Sequence, residues 1–169
     1  MMKRIDLPTT KEVIRELKPG DMILISGKIF TGRDAVLPKI AELISQDALK
    51  ENGIDLEGSL MFHTAVSVAG IGPTSSNKLE IEGTMETLSK AGVRMHLGKG
   101  KLKPETVKML AENDSAYLVI PPVTALLKSK TVEIKTVAFD ELGMEALHEL
   151  IVEDVPAIVA AAGGRSIYD

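Results

Sequence analysis

The sequence has no cysteine and no tryptophan. The missing thiol excludes disulfides, a thiolate nucleophile, cysteine zinc sites and any iron–sulfur cluster ligated by this chain itself. Aromatic residues make up only 3% of the chain, which leaves no set of rings on which nucleobases could stack. There is no excess of basic residues either: the net charge is −4, the opposite of a nucleic-acid footprint. No apolar run reaches the ~18 residues of a membrane span. The opening M-M-K-R-I-D-L-P carries no apolar leader segment. These absences lead us to expect a cytoplasmic protein with neither a nucleic-acid nor a membrane partner. Metal-binding histidine signatures are also missing. His63, His96 and His148 form no H-E-x-x-H and no close pair in sequence. They are read as partly buried structural residues, and no metal ligands are assigned.

What is present is a globular composition: 169 residues, 44% of them apolar, expected to form a single domain over 1–169. Thr9 followed by Glu12 fits a capping box ahead of a helix bearing Val13, Ile14 and Leu17. Pro19-Gly20-Asp21 turns the chain into an apolar strand, Met22 to Ile25. A helix with Ile40, Leu43 and Ile44 on one face should hold Pro38 in its first turn. Ser45 to Gly58 reads as loop, and Leu60 to Val68 as one buried strand. Gly70 to Lys78 reads as a tight polar loop, followed by a helix from Thr84 to Ala91. A strand from Val93 to Leu97 follows, then a helix opened by Pro104 and a strand from Ala116 to Ile120. The remaining expectations are a short helix over Val123–Leu127, a strand over Val132–Phe139, a helix over Met144–Leu150 and a final strand over Ala157–Ala162. Alternating strands and helices indicate an α/β class, and apolar strands suggest a sheet covered on both faces.

In such sheets the functional loops lie beyond the carboxyl ends of strands. Three polar loops here follow strands, and each carries a cation: Arg33 in T-G-R-D, Lys78 after G-P-T-S-S-N, and Lys99 in G-K-G. With hydroxyls between them, three cations suit a ligand with two carboxylates. Arginine can fork one carboxylate, and lysine acts as a point charge. The competing reading of the same residues is a set of solvated surface charges.

Taken in order, S-G-K-I-F-T-G-R-D, G-P-T-S-S, G-K-G and V-E-D-V-P-A-I-V are more specific than any of them alone. This ordered set resembles the C-terminal domain, or β subunit, of iron–sulfur-dependent class I fumarate hydratases and L-tartrate dehydratases. The resemblance runs from about Leu17 to Tyr168. It implies a swivelling β/β/α domain, three layers with a central, mostly parallel sheet. It also implies an α-subunit partner that carries a [4Fe-4S] cluster, and self-association of the β subunit within a hetero-oligomer. The implied activity is a hydro-lyase of the tricarboxylic acid cycle type, the reversible hydration of fumarate to L-malate. The alternatives are L-tartrate dehydration, hydration of the methylated fumarate mesaconate, or a non-catalytic anion-binding module on the same scaffold. By position, the resemblance gives Thr74 the role of base for the C–H proton. It gives Arg33, Lys78 and Lys99 the substrate carboxylates, with Thr31, Asp34 and Ser75 in support. Lys78 stands where the family usually has arginine, Pro121-Pro122 replaces a glycine-rich turn, and the segment between Phe62 and Gly72 is shorter than its counterpart.

Overall fold

A computed structural model describes residues 3–32, 35–67, 70–74, 78–120 and 131–169, with side chains described outside 65–81 and 131–132. The chain runs β1 (Lys3–Asp6), α1 (Lys11–Arg15), β2 (Met22–Thr31), α2 (Leu37–Ser45), β3 (Leu60–Phe62), β4 (Thr64–Ser67) and β5 (Gly70–Thr74). It continues through α3 (Lys78–Lys90), β6 (Met95–Gly98), α4 (Pro104–Glu112), β7 (Ala116–Val119), β8 (Thr131–Ala138), β9 (Leu147–Ala162) and β10 (Arg165–Ser166). Short 3₁₀ turns occupy Lys50–Asn52 and Asp140–Glu145.

The class is mixed α/β, with a sheet of 8 strands. Parallel pairings join β1 to β2, β2 to β3, β3 to β6 and β6 to β7. The 16-residue β9 lies antiparallel to β2, β7, β8 and β10. Because β9 meets both β2 and β7, the pairings close into a ring: β2, β3, β6, β7, β9 and back to β2. A β-bulge holds this ring in register. Ile25 pairs with Val155 and Gly27 with Val152, so β9 spends one more residue than β2 over that stretch. The extra residue switches the parity of burial along β9. Leu150 and Val152 point into the strand-borne core before the bulge, and Val155, Ala157 and Val159 after it. Asp154 sits at the bulge with φ 50°, and its N–H donates to Ser26 Oγ at 2.9 Å.

Adjacent residues of a strand serve different clusters, as the pleat requires. Ile29 belongs to the strand-borne core with Ile23, Leu60, Phe62 and Leu97. Phe30 belongs to a second cluster with Ile40 of α2 and Leu88 of α3. Tyr117 joins Val107 and Leu110 of α4 and Met85 of α3 in a third. Each fully buried Leu, Ile or Phe stabilises the fold by roughly 1.5–3 kcal/mol. Among the described residues no helix is long and apolar enough to cross a membrane.

Several expectations are corrected. The cap of α1 is Thr10, whose hydroxyl accepts from the Val13 N–H at 3.3 Å. The Thr9 N–H that a capping box needs is engaged by the Gly58 carbonyl. Leu60 to Val68 is not one strand: it breaks at His63 into β3 and β4. The stretch from Gly70 is not a loop, because Gly70–Thr74 forms β5, antiparallel to β4. Its small residues allow a narrow hairpin as readily as a polar turn. Helix α3 begins at Lys78, ahead of the expected Thr84. Met144–Leu150 is not helical. Leu147 opens β9, and ladders to β2 and β8 on its two sides override a helix-like spacing. Inside Ser45–Gly58, Ile54 and Leu56 are core residues. The helix expected over Val123–Leu127 lies outside the described residues, as does Pro121-Pro122.

Candidate functional site

The parallel strands β2, β3 and β6 end together, and their registers bring three of the polar stretches side by side. Thr31, the last residue of β2, pairs with Phe62, the last of β3, and the next N–H, of Gly32, donates to the Phe62 carbonyl at 3.0 Å. His63 continues the β3 edge by donating its N–H to the Leu97 carbonyl of β6 at 3.0 Å. One residue on, Thr64 pairs with Thr74, the last residue of β5. Gly98 ends β6 and Lys99 follows it, exposed. Thus the backbones of Thr31, Thr74 and Lys99 gather at one edge of the sheet, and Lys78 is the first residue of α3. Arg33, Asp34 and Ser75 lie outside the described residues.

The floor of this edge is buried and polar. Thr31 is 0% exposed, and its Oγ1 has no hydrogen-bond partner. His148 of β9 lies directly across from Thr31 and is 7% exposed. Burial pushes the His148 imidazole below the usual histidine range, against a contact from Nδ1 to the Ala146 carbonyl at 3.1 Å that favours the protonated ring. The residue was expected to be structural, and neither motif nor spacing singles it out. It enters the site through a long-range strand register.

Behind the edge, His63 Nε2 and His96 Nδ1 are 3.1 Å apart, with the rings stacked at 5.4 Å. His96 Nε2 and Ser89 Oγ of α3 are 2.9 Å apart. Burial, reinforced by the His63 ring and then by Arg94, pushes His96 well below its ordinary value. His96 is therefore a neutral joiner between strand and helix, and this chain of contacts ties α3 to the strand ends. Two residues before His96, the buried Arg94 guanidinium donates to the carbonyls of Ser89 at 2.6 Å, Gly92 at 3.1 Å, Asn113 at 2.6 Å and Asp114 at 3.0 Å. It fastens the carboxyl ends of α3 and α4 to β6. Tyr117 packs under Gly98 and donates its hydroxyl to the Gly100 carbonyl at 3.1 Å. Burial raises its phenol, with Tyr168 and Glu82 adding to the effect, so it stays a donor and shapes the G-K-G turn that carries Lys99.

The chain lacks cysteine altogether, and among the described residues no three His, Asp or Glu side chains gather as for a metal.

These features define a mixed α/β fold whose parallel strands bring Thr31 and Lys99, and whose β4–β5 pair brings Thr74, to one shared edge. A family model described as the fumarase C-terminus matches residues 1–169. The chain belongs to the fumarase C-terminus family. It is 33% identical to a Methanocaldococcus jannaschii protein carrying the provisional name L(+)-tartrate dehydratase subunit beta, over 95% of this chain and 88% of that one. It is 32% identical to a Geobacillus stearothermophilus protein provisionally named fumarate hydratase class I, over 98% of this chain but only 33% of that longer protein. It is 28% identical to the Escherichia coli L(+)-tartrate dehydratase subunit beta, over 85% of this chain and 74% of that one.

Proposed function

We propose that this chain is the β-subunit half of a hydro-lyase that adds water to, or removes it from, a four-carbon dicarboxylate. Fumarate–malate interconversion and L-tartrate dehydration are the two substrate readings, and 33% against 32% identity does not separate them. The observation that supports the reading most is the sheet edge, where the backbones of Thr31 and Gly32, the end of β5 and the end of β6 lie close through the Thr31–Phe62, Gly32–Phe62, His63–Leu97 and Thr64–Thr74 contacts. We take the finer architecture to be a swivelling β/β/α domain and the setting to be cytoplasmic.

The chemistry assigned to this chain is binding and proton transfer. Arg33 forks one substrate carboxylate, while Lys78 and Lys99 hold the other as point charges. Thr74 Oγ1 takes the proton from the carbon adjacent to the one that loses the hydroxyl, and the C–H electron pair becomes the new C=C bond as the hydroxyl departs. A threonine hydroxyl is a weak base, so it needs neighbouring cations to favour its alkoxide, and Lys78 and Lys99 supply them. Asp34 orients Arg33, and Ser75 extends the polar rim. A [4Fe-4S] cluster in this reading belongs to an α-subunit partner. It would supply Lewis acidity at the substrate's hydroxyl.

The test is co-expression with an α-type chain followed by assays on fumarate, L-tartrate and mesaconate. Thr74→Val should lower kcat by about 10²–10⁴-fold, the range for a general base. Unchanged turnover in Thr74→Val would remove the base assignment. No turnover of any of the three acids by the wild-type pair would remove the hydro-lyase reading and favour an anion-binding module.

A further inference from the structure

Where β2 meets β9, two buried polar side chains stand opposite each other with incomplete hydrogen bonding. Thr31 Oγ1 has no partner and Thr31 is 0% exposed. His148, its directly opposed neighbour, makes one hydrogen bond, from Nδ1 to the Ala146 carbonyl at 3.1 Å. A carbonyl can only accept, so Nδ1 carries the proton and Nε2 presents a lone pair. Opposed residues of an antiparallel pair project on the same face. Two positions on, Ile29 and Leu150 are likewise opposed, and both enter the strand-borne core. The hydroxyl of Thr31 and the ring of His148 therefore stand together at the end of that core, beside Gly32, where β2 ends. An unpaired buried hydroxyl destabilises a fold, and a methyl of the same shape would not. The pair has a use if an incoming group completes it.

We propose that Thr31 and His148 form a hydroxyl-reading subsite, which selects a four-carbon dicarboxylate bearing a hydroxyl on the carbon that does not lose water. A hydroxyl complements the pair in both directions. Its oxygen accepts from Thr31 Oγ1–H, and its hydrogen goes to His148 Nε2. A carboxylate has no hydrogen for Nε2, and a methyl group can offer nothing to either. The inference rests on the hydro-lyase reading and sharpens its substrate. L-tartrate keeps one hydroxyl when it loses the other, whereas L-malate has none to keep.

The experiment uses the two-chain enzyme and compares kcat/KM for L-tartrate and L-malate in wild type, Thr31→Val, Thr31→Ser and His148→Gln. The tartrate-to-malate ratio should fall about tenfold or more in Thr31→Val, because a site built to bond a hydroxyl discriminates through it. Thr31→Ser restores the donor and should restore the ratio. His148→Gln keeps a possible acceptor and should lie between. The melting temperature of Thr31→Val should be no lower than that of wild type, which separates lost recognition from lost folding. An unchanged ratio in Thr31→Val overturns the subsite and leaves the pair as a seat for a structural water. If wild type turns over neither acid, the hydro-lyase reading fails, and calorimetric titration of the same complex decides the subsite. Tighter binding of L-tartrate than of L-malate, lost in Thr31→Val, sustains it, and equal binding ends it.

Discussion

Arg94 and Lys78 show what single charges do at opposite ends of α3. Four carbonyls converge on the Arg94 guanidinium, among them those of Ser89 and Asn113 at the ends of α3 and α4, where a cation also meets the negative end of a helix dipole. Arg94→Met should destabilise the chain by about 3 kcal/mol, because buried carbonyls lose a charged donor and gain nothing. Arg94→Lys should recover only part of this, since one ammonium cannot span the fork. Urea unfolding measures both, and a loss below about 1 kcal/mol in Arg94→Met would contradict this role. Lys78 belongs to the proposed site. Lys78→Ala should lower kcat/KM by roughly 2–4 kcal/mol, and Lys78→Arg should be tolerated. Wild-type kcat/KM in Lys78→Ala would strike Lys78 from the substrate ligands. At this scale the sequence was legible where the signal is local, as at Thr31 and Lys99, which stand at the ends of strands as expected. It was mute on His148, whose place across from Thr31 depends on a strand more than a hundred positions away.

Elements were legible where their signals are short-range. Pro38 and Pro104 open α2 and α4 as proline in a first turn should. The failures fall where pairing overrides local pattern. In β9, Glu153, Asp154 and Pro156 look like breakers, and Met144, Leu147 and Leu150 carry a helix-like spacing. Yet β9 is continuous, because β2 lies along it while the other side changes partner, from β8 up to Val152 to β7 from Ile158. Pro156 stands between those two partners, where its missing N–H interrupts neither ladder. The bulge has its own requirement on β2. Gly27 adopts φ 117°, and a Cβ there would stand 2.8 Å from the Leu7 carbonyl oxygen. Gly27→Ala should therefore cost about 2–3 kcal/mol, from strain and the clash together. Thermal melting by circular dichroism checks it, and an unchanged melting temperature would mean the β1–β2 junction yields easily.

For the whole molecule, buried neutral histidines set the response to acid. His96 and His148 both titrate below their ordinary value, with burial the first cause in each. The unfolded chain therefore binds more protons as pH falls through about 6.5, and stability declines from there until the folded-state values are reached. Above pH 7 these two groups contribute no slope. The expected slope approaches about 1.4 kcal/mol per pH unit for each histidine. Asp21 and Asp114, held low by hydrogen bonds from the Lys18 backbone N–H and the Arg15 side chain, withdraw their support only at more acid pH. Urea unfolding at pH 7.5 and 5.5 tests this, and equal or greater stability at the lower pH would show that the rings accept charge in place. The ring of strand pairings carries a consequence for biosynthesis. Ser26 on β2 and Asp154 on β9, hydrogen-bonded to each other, lie 128 positions apart. At ribosomal speeds of about 5–20 residues per second, the first is made roughly 6–25 seconds before the second. Through that interval β2 lacks the neighbour that closes the circuit, as does β7 once it is made, and their edges stand open to any extended segment nearby. The nascent chain is thus most in need of a chaperone, or of a partner already waiting, just before β9 emerges.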